Sequence, residues 1–193
     1  MRNTANRSGF TIVELLIVIV VIAILATIST VAYAGIQNRA YVTAAGAARS
    51  AYIRALKLYK VDKGRYPVVP ADGQTVCLGE LAHYPAKDGF ASGQCRYSDY
   101  GAATATVDAA VTSELKTYIT TAPSVNWPPA TEYYVGTGTD YYRGIFYYAG
   151  TTANQGKDAS IWFYIKGSQT CPQDGYGGYN SDTGETQCTV YLQ

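Results

Sequence analysis

Between Leu15 and Asn38 the chain carries no charged residue, and Leu15 to Ala26 is unbroken Leu, Ile, Val and Ala. No other stretch limits the fold so strongly. As a helix this segment rises about 36 Å at ~1.5 Å per residue, enough to cross a bilayer core of ~30 Å. Glu14 stands at its mouth. An ionised side chain is costly inside a membrane helix, less so toward the end than at the centre. A carboxylate placed here therefore requires a partner.

The first nine residues carry Arg2 and Arg7 and no acid. By the positive-inside rule this end stays cytoplasmic and the larger C-terminal part is exported. Three fates are open to such a chain. Ala32-Tyr33-Ala34 before Gly35 forms the small-x-small pattern of a secretory signal, which would release a soluble domain. An uncleaved signal anchor is the second. In the third the chain is cut after Gly9 on the cytoplasmic side, and the apolar helix stays with the mature protein.

Gly9-Phe10-Thr11-Ile12-Val13-Glu14 resembles the class III signal of type IV pilins and pseudopilins. In that family a basic leader ends in Gly, the mature chain begins with Phe, and Glu is its fifth residue. The resemblance implies cleavage between Gly9 and Phe10 and N-methylation of Phe10 by a prepilin peptidase. It also assigns Glu14 to assembly, since the new α-amine of Phe10 is a cation able to meet the carboxylate of a neighbouring subunit. In a dry filament core such a pair is attractive only when both charges find each other, so it would set the register of stacking. The simpler role for Glu14 is to sit favourably at the positive end of its own helix.

Many pilin helices carry a Pro about where Val31 falls and a Gly near Ala23, and this chain has neither. Thr27 to Val31 instead clusters β-branched and hydroxyl residues, weak helix formers. An unbroken helix is expected, with softness around these residues and Gly35. From Ala40 to Val61 the helical pattern persists: Tyr41, Ala45, Ala48, Tyr52, Leu56 and Tyr59 recur at steps of three or four. Arg39, Arg49, Arg54, Lys57 and Lys60 fall on the more polar flank. Gly64 is a plausible stop, with Lys57, Lys60 and Lys63 before it and Tyr66-Pro67 after it. The run Leu58 to Pro67 resembles the stretch that closes the long helix in many pilins and pseudopilins.

The division that follows is a leader over 1–9, a membrane or filament-core helix over 10–38, its amphipathic continuation over 39–63, and a globular head over 64–193. The formal charge of the whole chain is +1, and the leader holds two of the 15 basic residues against 14 acidic ones. Near-neutrality gives no electrostatic footprint for nucleic acid. Residues 131–135, 141–148, 160–166 and 187–192 read as strands, and Val107, Val111, Leu115 and Tyr118 as one short helix before Pro123. Arg65 to about Thr106 reads as a long connection. The fold class is α+β: a long N-terminal helix packed on an antiparallel sheet, type IV pilin-like.

Cys77, Cys95, Cys171 and Cys188 all lie in the part expected to be exported, and an even count there points to two disulfides. Three pairings are possible. Cys77–Cys95 and Cys171–Cys188 are preferred because each closes a compact loop, contributing ~3 kcal/mol on the chain-entropy model. The second pair also resembles the C-terminal disulfide-bounded loop of many pilins, and Pro172 to Gln187 within it is Gly-rich and polar, suiting an exposed loop. Zinc is disfavoured, because no Cys-x-x-Cys exists and His83 is the single histidine. Asp174, Asp182 and Glu185 lack the alternation of a calcium loop and read as solvated acids.

No metal or cofactor is expected, and no enzyme: neither a nucleophile elbow nor a glycine-rich phosphate loop is present. The chain holds 19 Tyr, which suit half-exposed strands more readily than an adhesive surface. The expected product is a homo-oligomeric helical filament, a type IV pilus used for adhesion or twitching motility. Its partners would be the prepilin peptidase, the pilus assembly machinery with its cytoplasmic ATPases, and the membrane before assembly. The precursor would lie in the cytoplasmic membrane with its head outside, and the assembled subunit in an extracellular filament. A pseudopilin of a type II secretion or DNA-uptake machine shares the same N-terminal chemistry. A soluble secreted binding domain cut after Ala34 is the remaining alternative.

Overall fold

A computed structural model describes residues 11–69, 74–99, 101, 104–119, 123, 131–135, 138–149, 159–171 and 175–192. Its first element, α1 (Ile12–Lys63), runs for 52 residues without a break. Thr27 Oγ1 donates to the Ala23 carbonyl and Ser29 Oγ to that of Leu25, each at 2.8 Å. These hydroxyls bond back along the helix, which accommodates them in an apolar setting and softens the ladder only slightly. The stop falls at Gly64, whose φ of 71° only glycine adopts readily and whose amide donates to the Lys60 carbonyl at 2.8 Å.

The chain divides into two units, Met1–Ala40 and Tyr41–Gln193. In the first, Ile12–Ser29 is long and apolar enough to cross a membrane, and none of it is buried. The second unit is built on the later turns of α1. There Ala45, Ala48, Tyr52, Leu56 and Tyr59 are buried, the spacing expected of a core-facing stripe. Arg49 departs from the expected polar flank. It is 1 % exposed, with its guanidinium 4.8 Å over the ring of Phe163. Stacking on an aromatic face is a contact the planar guanidinium makes well.

Beyond α1 follow β1 (Thr75–Cys77), a 3-10 turn (Leu81–His83), β2 (Gln94–Ser98), β3 (Ala105–Thr106), α2 (Ala109–Leu115), β4 (Thr131–Val135), β5 (Gly138–Tyr142), β6 (Ile145–Ala149), β7 (Ala159–Lys166), β8 (Tyr176–Asn180) and β9 (Glu185–Leu192). They form a five-stranded sheet in the order β1-β6-β7-β9-β8 and a four-stranded sheet in the order β3-β2-β5-β4. The strand pairings are antiparallel. Alternation sorts the five-stranded sheet's side chains. Ile161, Phe163, Ile165, Cys188, Val190 and Leu192 join the buried residues of α1 in the main core. Trp162 and Tyr164 face away and pack with Tyr84, Tyr142 and Phe146 in a second cluster.

Three readings of the sequence are corrected here. The single strand expected over 141–148 is two strands in different sheets, divided at Gly144. That residue has φ 92°, and a Cβ on it would lie 2.5 Å from the Tyr84 ring. The connection from Arg65 to Thr106 contains β1, β2 and β3. The expected loop over 172–187 contains β8, which pairs along its whole length with β9. The short helix is α2, capped by Asp108, whose Oδ1 accepts from the Val111 amide at 2.8 Å.

Candidate functional site

Glu14 lies in the first turn of α1, with Thr11 at its N-cap. The Thr11 amide donates to Glu14 Oε2 at 2.9 Å and Thr11 Oγ1 donates to the same oxygen at 2.8 Å. The Glu14 amide donates in return to Thr11 Oγ1 at 3.2 Å. This is a capping box, in which the side chains of the N-cap and of the third helical residue each satisfy the other's backbone N–H. The carboxylate at the mouth of the apolar helix is therefore already hydrogen-bonded within its own chain, all through Oε2. Oε1 makes no hydrogen bond among the described residues.

Thr11 was not singled out from sequence. Its signal, Thr-x-x-Glu before an apolar run, is present in the chain but is masked by the stronger question of what a lone charge does in a membrane helix. The cleavage and methylation positions, Gly9 and Phe10, lie outside the described residues. Leu15 to Leu25 presents exposed Leu, Ile and Val on every side of the helix. Such a surface needs lipid or other apolar helices around it.

The remaining site residues belong to the head. Cys77 and Cys95 are bonded and join β1 to β2, stapling the five-stranded sheet to the four-stranded one. Cys171 and Cys188 are bonded and hold the segment after β7 against β9. The disulfide at Cys171 passes directly over β8: a Cβ on Gly177 would lie 2.5 Å from the Cys171 sulfur. His83 accepts at Nδ1 from the Glu80 amide at 3.2 Å and so closes the small turn it belongs to. Asp174 lies outside the described residues. Asp182 sits in a turn in which its amide donates to Asn180 Oδ1 at 2.8 Å.

The tyrosines divide. Tyr52, Tyr59, Tyr66, Tyr84, Tyr142 and Tyr147 are buried, while Tyr176, Tyr179 and Tyr191 are exposed. Burial demands partners for the hydroxyls, and Tyr84 donates to the Leu78 carbonyl at 2.7 Å and Tyr147 to that of Pro67 at 2.6 Å. Tyr is thus a principal core residue of this head.

The family model for the prokaryotic N-terminal methylation motif matches residues 4–30. Neither the curated proteins nor the solved structures compared with the chain give a match. The matched span covers the later part of the leader with Arg7, the capped carboxylate and the apolar first turns of α1. The chain carries, over residues 4–30, the class III signal of type IV pilins and pseudopilins, which supports a pilin- or pseudopilin-like precursor.

Proposed function

We propose that this chain is a structural subunit that polymerises through its N-terminal helix into a type IV pilus serving adhesion or twitching motility. The observation that carries the reading is the coincidence of the methylation motif with an apolar helix of which no part of the membrane-length window is buried. Prepilin peptidase would remove residues 1–9 and methylate Phe10, keeping a positive charge on the new α-amine. Oε2 of Glu14 is held by Thr11, which leaves Oε1 for the amine of a neighbouring subunit. Within an assembled core both charges would be matched, whereas a misregistered subunit would leave a carboxylate unpaired in an apolar environment. The apolar helices would then bundle inside the filament and the heads would form its outer layer.

A pseudopilin of a secretion or DNA-uptake machine rests on the same motif and is the second reading. Shearing filaments from the cells and identifying their protein by mass separates the two. The pilus reading expects this chain as the main component. Its retention in the envelope, with surface filaments built from another protein, contradicts that reading and leaves the pseudopilin.

A further inference from the structure

Tyr52 on α1 is 3 % exposed, and its enclosed hydroxyl makes no hydrogen bond with any described residue. A buried polar group left this way costs more than a typical hydrogen bond returns, so it calls for a partner. The hydroxyl lies beside Gly79: a Cβ built on that residue would stand 3.7 Å from it. Next to both residues is a cavity of about 20 Å³, lined by Tyr52 and Gly79 together with Thr112, Leu115, Lys116 and Ile119. The last four come from α2 and the residues that follow it.

The polar atoms around this cavity fit one small molecule. The Thr112 hydroxyl stands 2.7 Å from the Asp108 carbonyl and 3.1 Å from the Gly79 carbonyl. With a single proton it serves one of them fully, and its own oxygen still accepts. The Gly79 carbonyl has two lone pairs and can accept again. A donor at Tyr52 and acceptors at Thr112 and Gly79 therefore border the space, while Leu115 and Ile119 give it apolar walls. Gly79 itself keeps the space open. Its φ is 142°, and a Cβ there would lie 3.0 Å from the Tyr84 ring, so no side chain can fill the cavity from that side.

We infer that this cavity binds one ordered water, which accepts from the Tyr52 hydroxyl and donates to Thr112 Oγ1 and the Gly79 carbonyl. About three hydrogen bonds are the usual complement of a buried water, and ~10–15 Å³ suffices to hold one. Larger ligands are excluded by size. An apolar filler would leave the hydroxyl as orphaned as before. The water sets the spacing between α1, the Gly79 turn and α2, and so completes a joint that also contains two direct links. One is the bond from Tyr118 to Asp62 at 2.6 Å, the other the ion pair of Lys116 with Glu80 at 3.5 Å. The site requires only the folded head and stands apart from the filament reading.

The test uses the full chain in detergent micelles, with its Leu and Ile methyl groups labelled for NMR. A cross-relaxation peak of the sign given by a held water is expected between water and the methyl groups of Leu115 and Ile119. Tyr52→Phe removes the donor, so it should weaken that peak and lower the thermal midpoint by about 2–4 °C. Thr112→Val removes an acceptor of the same water. The double variant should therefore lose less than the two single losses added together. Absence of the water peak in the parent chain overturns the inference. So does a midpoint that Tyr52→Phe leaves unchanged or raises, which is the signature of a dry cavity and an orphaned hydroxyl, or strict additivity in the double variant. Neither readout needs a filament, so failure here leaves the proposed function standing.

Discussion

Thr11 and Glu14 hold each other at the start of α1: two donors of Thr11 converge on one carboxylate oxygen, and the Glu14 amide returns a bond to the Thr11 hydroxyl. The residue that sequence alone presents as an isolated charge is thus a helix cap first and a candidate intersubunit partner second. The two roles use different oxygens. Thr11→Val keeps the side-chain shape and removes both hydroxyl bonds, so membrane insertion should persist while the first turn frays and filament yield falls several-fold. Thr11→Ser should restore the yield. Sheared-filament yield against total membrane-bound protein is the measurement.

Glu14→Ala removes cap and charge together. Insertion should again persist, because the apolar span is intact, and assembly should fail more completely than in Thr11→Val. A normal filament yield from Glu14→Ala would remove the amine–carboxylate pair from the mechanism.

The Cys77–Cys95 disulfide joins strands of different sheets, and its partners are 18 residues apart. Replacing both by Ser should cost roughly 3 kcal/mol on the loop-closure model. For a domain of this size that lowers the thermal midpoint by about 6–12 °C. Differential scanning calorimetry of the two forms gives the shift directly, and an unchanged midpoint would show that the sheets are held by packing alone.

Adjacent glycines on β8 should behave oppositely. Gly177→Ala drives a Cβ against the Gln187 carbonyl and the Cys171 sulfur, so it should destabilise the head strongly and impair formation of the Cys171–Cys188 bond. Gly178→Ala enters open space and should stay within about 0.5 kcal/mol of the parent. Thermal melts and free-thiol counts on both variants check the contrast.

The amphipathic half of α1 and the compact disulfide loops were legible because they rest on local rules: spacing of three and four, a basic last turn, a glycine stop. The losses have physical causes. Thr75–Cys77 is too short to show alternation, and Tyr176–Asn180 hides its pairing behind two glycines. The break at Gly144 depends on Tyr84, a residue distant in sequence whose ring occupies the space a side chain would need. Arg49 reads as surface because it is charged, yet it lies in the core on Phe163. The last two are tertiary contacts that no local window contains.

The buried tyrosines predict alkaline lability. Burial, reinforced by the nearby Glu114, pushes Tyr59 up to about 12, and burial raises Tyr52, Tyr84 and Tyr147 further still. The folded state therefore retains protons that the unfolded state has released above its ordinary value of about 10. Their contribution is complete below that pH and is lost as pH rises through the folded values. A spectrophotometric titration should show an exposed group of tyrosines ionising reversibly, then a second group ionising only with unfolding. On the acid side, the Tyr118 hydroxyl, 2.6 Å from Asp62 Oδ2, holds that carboxyl below its usual range, with Lys63 adding to the effect. The link between α1 and the turn that follows α2 should weaken as pH falls through the folded value, and Tyr118→Phe should reduce that dependence to the part Lys63 supplies.

The mass of the mature N-terminus bears on every role assigned to Glu14. A chain beginning at methylated Phe10 places the carboxylate and the apolar helix in the finished subunit, as the filament reading requires. A chain beginning at Gly35 has lost both, and would contradict it.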